Sequence, residues 1–322
     1  MDAKRRKFIT EAAFAAAGIA LGVGPAKAAA AKVASAAKVA DSRDICIFSK
    51  MLHWLDCGEM AAAAAEIGFD GIDLTVRPGG HVAPERVAAD LPKAVAAALK
   101  AGLKVPLITT GITDARHPHT EPILKAAHQA GVKYYRTGWL DYQEDVPLPE
   151  TLEKYSRQLT ELARLNQQYN LQGAYQNHAG THVGAGVWDL WYIIKDLDPR
   201  WMGLQYDIKH ATQEGGSSWP LDVKLMYPYI KTIDIKDFIW EKKDGQWQIQ
   251  NVPLGEGMVD FRKFFALVKQ YNISGPISLH LEYPLGGAES GARKLSVNPD
   301  TVTAAMQKDL KTLRGYLQEA GL

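Results

Sequence analysis

The sequence predicts an α/β protein built as one eight-stranded parallel β/α barrel, a (β/α)8 fold. From Asp44 onward, short β-branched runs alternate with longer runs of helical periodicity, which is typical of βαβ units in a parallel sheet. The alternation yields eight strands, and Gly68, Gly102 and Gly131 each end a helix shortly before the next strand. A doubly wound sheet would need a glycine-rich phosphate turn after its first strand, and none follows Ser49.

The elements follow in order along the chain. The strands, which begin with ICIFS, GIDLTV and KVPLITT, are predicted at residues 45–49, 71–76, 104–110, 132–138, 171–178, 202–210, 231–238 and 276–283. Leucines at helical spacing, glycine stops and a proline start predict helices at 57–67, 84–101, 118–130, 149–169, 187–197, 260–271 and 299–319. Asp244-Gly245 predicts the turn of a hairpin inserted after the seventh strand.

The N-terminus has the layout of an export segment. RRKFIT precedes a weakly apolar, alanine-rich run that ends in small residues, and this resembles a twin-arginine signal. A membrane anchor is disfavoured because a span needs about 20 strongly apolar residues. We therefore expect a signal at 1–28, a linker at 29–43 and the barrel at 44–322, with the mature protein periplasmic or otherwise exported and without a membrane span.

Charge and cysteine content exclude several classes of protein. Once the basic signal is set aside, the remaining chain is nearly neutral and shows no basic stripe, so nucleic acid is not an expected partner. Cys46 and Cys57 are too few for a disulfide framework or a thiolate zinc site.

Polar residues gather at the ends of the last four predicted strands, where the active sites of β/α barrels lie. Gln176, Asp207, Asp234 and Glu282 can each point inward from their own strand, because side chains alternate along a strand. Converging carboxylates repel one another unless a cation lies between them. Four oxygen ligands favour Mn²⁺ or Mg²⁺, and Zn²⁺ or iron becomes an alternative if His210 also ligates.

These residues resemble those of the xylose-isomerase-like TIM barrels, which include sugar isomerases, ketose epimerases, keto-glycoside-cleaving enzymes and apurinic endonucleases. The shared marks are Asp207-x-x-His210, Lys236-Asp237 and Glu282, in order across successive strands. The resemblance implies that Asp207 and Glu282 bind metal and that His210 holds a substrate oxygen or acts as a further ligand. The sequence departs from the family where Gln176 replaces the usual Glu and Asp234 the usual His.

Because Gln176 cannot exchange a proton, the resemblance favours a reaction with one carboxylate base. We expect Glu282 to take a proton next to a sugar carbonyl and His210 or Lys236 to return one. Lys236 has an alternative role, since a lysine within an apolar strand can be neutralised by Asp207 or Asp237. Four residues are expected to bind the sugar at the rim: His178, Arg136, Trp139 and Trp240.

The expected function is a metal-dependent isomerase or epimerase of a sugar or sugar derivative, acting through an enediolate. A 3-keto-glycoside lyase is the first alternative, since elimination needs only one base, and a non-catalytic sugar-binding barrel is the second. An apurinic endonuclease is disfavoured because those enzymes bind three metals with many histidines. The expected partner is a small carbohydrate, and assembly as a homo-oligomer is left open.

Overall fold

The structure, a computed structural model, describes residues 43–322. The predicted signal at 1–28 and the linker up to residue 42 lie outside the described residues. Eight parallel strands close into a barrel in the order β1, β10, β7, β6, β5, β4, β3, β2. The barrel strands are β1 (Ile45–Phe48), β2 (Gly71–Val76), β3 (Lys104–Thr110), β4 (Tyr134–Arg136), β5 (Gln172–Gln176), β6 (Met202–Asp207), β7 (Ile230–Ile235) and β10 (Ile277–Leu279). The predicted fold class is confirmed.

Helices connect successive strands and cover the outside of the barrel. They are α1 (Cys57–Ile67), α2 (Val87–Lys100), α3 (Thr120–Gln129), α4 (Leu148–Tyr169), α5 (Val187–Ile194), α6 (Ile208–Gly215), α7 (Trp219–Met226), α8 (Phe261–Gln270) and α9 (Pro299–Ala320). The first helix shows how the local sequence sets its ends. Asp56 and Glu59 form a reciprocal capping box at its start, and Gly68 adopts the left-handed conformation that ends it.

The sixth strand is shorter than the predicted range 202–210. It ends at Asp207, and α6 begins with the next residue, so His210 lies in the first turn of a helix and not on a strand. The Asp207 side chain accepts a hydrogen bond from the His210 backbone amide, which caps the helix. Helices α6 and α7, between the sixth and seventh strands, were not predicted.

The predicted seventh strand is divided in two. β7 ends at Ile235, and Asp237 begins β8 (Asp237–Lys243), which pairs antiparallel with β9 (Gln246–Val252) in the expected hairpin. One carboxylate oxygen of Asp237 accepts from the backbone amides of Gly255 and Gly257. These bonds hold the base of the hairpin against the following loop, beside the C-terminal ends of the barrel strands.

The core lies between the barrel and the helical layer and is filled by aliphatic and aromatic side chains. Close approach of the strands requires glycine at Gly203, where a Cβ atom would lie 2.2 Å from the Tyr229 carbonyl oxygen. Within the described range 43–322, no helix combines the length and apolar character needed to cross a bilayer.

Candidate active site

The C-terminal ends of β5, β6, β7 and β10 bring a set of polar side chains to one place. The register pairs Asp207 with Asp234 and Gln176 with Gln205, so these residues lie at neighbouring levels of the barrel. Lys236 and Glu282 follow the ends of β7 and β10. We call Gln176, Asp207, Asp234, Lys236 and Glu282 the mouth cluster; the Glu282 side chain is 22% exposed, and the other four residues are buried.

Gln176 donates hydrogen bonds to the carboxylates and does not present its oxygen to them. Its Nε2 donates to Asp207 Oδ2 at 2.9 Å and to Asp234 Oδ2 at 2.5 Å, while its Oε1 accepts from Arg136 at 2.7 Å. The opposite orientation would direct the amide oxygen at two carboxylates and the NH2 group at a guanidinium. The neighbouring charges therefore fix this orientation.

Lys236 lies between two carboxylates of the mouth cluster. Its Nζ is 3.0 Å from Asp207 Oδ2 and 3.2 Å from Glu282 Oε1. Burial alone would lower the pKa of Lys236, but the charges of Asp207 and Glu282 raise it above its ordinary value. The side chain is therefore an ammonium ion at neutral pH.

The same ion pair acts on Glu282. Burial would raise the pKa of its carboxyl group, but the adjacent Lys236 ammonium, with His280 and Lys50, holds that pKa well below its usual range. Glu282 is thus ionised at neutral pH and is the most accessible carboxylate of the mouth cluster.

A wall of aromatic and cationic side chains stands beside the mouth cluster. The rings of His178 and His210 are 4.0 Å apart, Trp139 lies 4.5 Å from His178, and the Arg136 guanidinium lies 5.1 Å from the Trp139 ring. Three of the residues predicted to bind the sugar are therefore contiguous with His210. Trp240 lies apart from this wall on the hairpin, is 40% exposed and contacts the Phe238 ring.

His210 is buried, and neither of its ring nitrogens has a hydrogen-bond partner among the described residues. Burial, together with the charges of Lys236 and Lys209, holds its pKa well below the ordinary value, so the imidazole is neutral. A neutral imidazole can donate from one nitrogen and accept at the other. The His210 Nε2 lies 3.6 Å from Asp207 Oδ2, beyond hydrogen-bond length, and both ring nitrogens are without a hydrogen bond among the described residues.

The structure brings Gln176, Asp207, Asp234 and Glu282 together, as the sequence predicts, but they do not fit one divalent cation in this arrangement. The Gln176 oxygen is bound to Arg136, its amide nitrogen faces two carboxylates, and the Lys236 ammonium lies between Asp207 and Glu282. N–H groups already occupy the carboxylate oxygens that a divalent cation would need as ligands. Their assignment as metal ligands remains a prediction.

A second candidate metal site shares Asp234 with the mouth cluster. Ligand atoms of Asp73, Asp234 and His280 all lie within 4.8 Å of one another, and the three residues are buried. Burial would lower the pKa of His280, but the Asp234 carboxylate, 3.3 Å from its Nε2, raises it. The same three groups therefore also form a charge-paired network, and the identity of any metal stays open.

Sequence reasoning missed Asp73 and His280. Asp73 lies within the apolar strand GIDLTV, where it accepts hydrogen bonds from Thr109 and Ser278, and His280 lies two residues before Glu282. A single acid in an otherwise apolar inward-facing strand is the signal that could have identified Asp73, because such a group needs partners. For His280 the signal is its spacing from Glu282: side chains two residues apart along a strand face the same side, so His280 faces inward with Glu282.

With the fold and site described, the chain can be placed among known proteins. It belongs to the Xylose isomerase-like TIM barrel family, whose model matches residues 61–304. No curated protein sequence matched the chain.

Solved structures share the fold at low sequence identity. The IOLI protein with a bound zinc atom has a TM-score of 0.67 and 17% identity over 86% of this chain and 99% of its own. The 3-keto-D-glucoside 4-epimerase YcjR from E. coli has a TM-score of 0.62 and 14% identity over 85% and 100%. A xylose isomerase-like TIM barrel protein from Mycobacterium smegmatis in complex with magnesium has a TM-score of 0.61 and 16% identity over 87% and 98%.

Proposed function

We propose that the protein is an isomerase or epimerase that moves a proton between carbon atoms of a keto sugar or sugar derivative through an enediolate. The observation that carries this proposal is the presence at one barrel mouth of an ionised, partly exposed Glu282 and of a neutral His210 whose ring nitrogens form no hydrogen bond among the described residues. A base and a neutral donor are the two groups that such a proton transfer requires. Family membership and the fold support the same class of reaction.

In this mechanism Glu282 removes the proton from the carbon next to the substrate carbonyl. The enediolate that results carries its new charge on oxygen, where hydrogen-bond donors stabilise it. Lys236 directs two of its three N–H groups at Asp207 and Glu282, which leaves the third to donate to a substrate oxygen. Glu282, which now carries the proton, returns it to a carbon of the enediolate, while neutral His210 donates a hydrogen bond to the hydroxyl oxygen.

The proposed substrate is a small carbohydrate that lies against the aromatic wall. Trp139 and His178 offer ring faces to the apolar side of a sugar ring, and the buried Arg136 guanidinium can donate to its oxygens. We assign Trp240, which is 40% exposed on the hairpin, to a more distant part of the substrate. These roles extend the sequence prediction for the same four residues.

A 3-keto-glycoside lyase is the second candidate, and one observation favours it. Gln176 is held as a hydrogen-bond donor to two carboxylates, so it offers no second base on the opposite face of the sugar. Elimination needs one base and a proton donor for the departing oxygen, which Glu282 and His210 can supply.

Incubation of the purified protein with a panel of free ketoses and with 3-keto-glycosides separates the two candidates. Isomerisation or epimerisation leaves the substrate mass unchanged, whereas elimination splits a glycoside into two smaller products. A mass spectrum of each reaction therefore identifies the class. Absence of product from every member of the panel would contradict both candidates and favour a barrel that only binds sugar.

Metal dependence is the part of the sequence prediction that this proposal leaves aside. Mn²⁺ or Mg²⁺ at the mouth is the expectation from the oxygen donors, with Zn²⁺ as the alternative, and such an ion would act as a Lewis acid on the substrate oxygens. Since the four predicted ligands do not fit one cation as arranged, each proton transfer above is assigned to side chains of the chain itself.

The N-terminal sequence supports a further part of the proposal, which is export by the twin-arginine route to the periplasm. Fractionation of cells that express the full chain tests it, with RR changed to KK at Arg5 and Arg6 as the matched control. Export of the original chain and retention of the variant are expected. Equal distribution of the original chain and the variant would contradict export by this route.

Sedimentation of the mature protein would give its oligomeric state.

A further inference from the structure

The mouth cluster holds its own positive charge in place. Lys236 is 3% exposed, and its Nζ is nearly equidistant from Asp207 Oδ2 and Glu282 Oε1, at 3.0 Å and 3.2 Å. An ammonium ion at this position makes charge-assisted hydrogen bonds to two carboxylates on different strand ends. It therefore does what a bridging cation would do for the same two oxygens.

The remaining carboxylate charge of the cluster is also matched by groups of the protein. Asp234 Oδ1 lies 3.3 Å from His280 Nε2, and Asp234 Oδ2 accepts from Gln176. Arg136 donates to the other end of that same amide, so its positive charge polarises Gln176 toward Asp234. The hydrogen bonds extend in one connected chain from Arg136 through Gln176 to Asp234 and Asp207.

We propose that Lys236 replaces a divalent cation at this active site and supplies the positive charge that holds Glu282 and Asp207 in place. A Mg²⁺ ion binds carboxylate oxygens at about 2.1 Å. An ion held by both oxygens would compete with Nζ for them and would repel the ammonium at close range. The inference concerns the position between Asp207 and Glu282. The candidate site formed by Asp73, Asp234 and His280 shares only Asp234 with the mouth cluster and stays open.

The role of Lys236 in turnover rests on the proposed function, but its role as the resident cation does not. Mn²⁺ binding, followed by electron paramagnetic resonance of the free ion, measures the second role without a substrate. We expect the wild-type protein to have no Mn²⁺ site that is lost when Asp207 is replaced by Asn. Lys236→Met should gain one additional Mn²⁺ per chain, with an affinity at least about tenfold above that of any wild-type site.

Three further variants make the result specific. Lys236→Met combined with Asp207→Asn should lose the added site, because one of its two carboxylates is gone. Lys236→Arg keeps the charge and should gain no Mn²⁺. Lys209→Met, the matched control, removes another buried lysine, whose Nζ lies 5.7 Å from the Phe238 ring, and should also gain none.

Folding of Lys236→Met is checked in the same experiment, since the variant leaves two carboxylates without their cation. Mn²⁺ should raise its melting temperature, and the added Asp207→Asn change should remove that rise. Wild-type Mn²⁺ binding that Asp207→Asn or Glu282→Gln abolishes would overturn the proposal. So would a folded Lys236→Met protein that takes up no additional Mn²⁺.

A turnover assay then connects the charge to the reaction. With a substrate identified from the panel above, wild-type activity should persist after chelator treatment, and Lys236→Met should lose it. Loss of wild-type activity in chelator, restored by Mn²⁺ or Mg²⁺, would overturn the proposal. If no sugar is turned over, the proposed function fails while the Mn²⁺ measurement still decides the role of Lys236.

Discussion

The guanidinium of Arg136 donates to the side-chain oxygen of Gln176 at 2.7 Å, and this contact orients the whole mouth cluster. With its oxygen engaged, Gln176 can only direct its NH2 group at Asp207 and Asp234. The amide therefore stabilises two neighbouring carboxylates that would otherwise repel each other.

Gln176→Glu should destabilise the protein although the two side chains have nearly the same shape. The change replaces a donor by a third carboxylate beside Asp207 and Asp234, with only Arg136 to compensate. We expect a loss of roughly 3–5 kcal/mol in the free energy of unfolding at about pH 8, the range for an uncompensated buried charge. The loss should shrink toward about pH 5, where the new carboxyl group can take up a proton.

Chemical denaturation at the two pH values measures the effect. Gln168→Glu, at an exposed position of α4, is the control and should change the stability by less than about 0.5 kcal/mol. Equal stability of Gln176→Glu and the wild-type protein at both pH values would mean that the amide is not needed as a donor.

Trp139→Leu should weaken substrate binding more than it slows turnover. Trp139 packs against His178 and Arg136, and we assign its ring face to the sugar. Loss of an aromatic contact of about 1 kcal/mol corresponds to a five- to tenfold rise in KM, with kcat little changed. Steady-state kinetics test this, with Trp247→Leu on the exposed end of the hairpin as control. A fall in kcat at constant KM would contradict the assignment.

Stability should depend on pH through Asp309, a buried residue of α9 that is not part of the mouth cluster. Burial raises the pKa of Asp309 from 3.8 to about 6, although its carboxylate accepts from the Tyr283 hydroxyl and the Leu254 amide. A carboxyl group with a raised pKa in the folded state favours folding while protonated. Its stabilising contribution is thus complete below about pH 4 and is lost as pH rises through about 6, to a total near 3 kcal/mol.

Asp309→Asn should remove most of this pH dependence, because the amide stays neutral. Its oxygen can still accept from the Leu254 amide, and its NH2 group can donate to the Tyr283 oxygen. Denaturation curves between about pH 4 and pH 8 would show the variant gaining stability relative to the wild-type protein as pH rises. Asp145→Asn, at an exposed loop position, serves as control and should follow the wild-type curve. Parallel curves for Asp309→Asn and wild type would exclude Asp309 as the source.

The barrel could be predicted from the sequence because the residues that end its helices and strands lie next to those ends along the chain. β2, β3 and α1 have the predicted bounds, since glycine stops and the Asp56 cap mark their ends. The sixth strand was predicted too long because IKH is compatible with a strand, whereas the Asp207 cap begins a helix there. This cap is a local contact between residues three positions apart, which hydrophobic periodicity does not show.

The membership of the mouth cluster was also predictable, but its internal arrangement was not. Alternation along strands brings Gln176, Asp207, Asp234 and Glu282 inward, as expected. Which end of the Gln176 amide faces the carboxylates depends on Arg136 from another strand. The position of the Lys236 ammonium depends likewise on two strand ends that only the folded barrel brings together.

Hydrogen exchange at the substrate carbon tests the central assignment of Glu282 as the base most directly. In D2O, the wild-type protein should incorporate deuterium at the carbon next to the carbonyl of its substrate, as nuclear magnetic resonance would show. Glu282→Gln should slow this exchange by about 10²- to 10⁴-fold, while the surface control Glu256→Gln leaves it unchanged. Undiminished exchange in a folded Glu282→Gln protein would contradict the account.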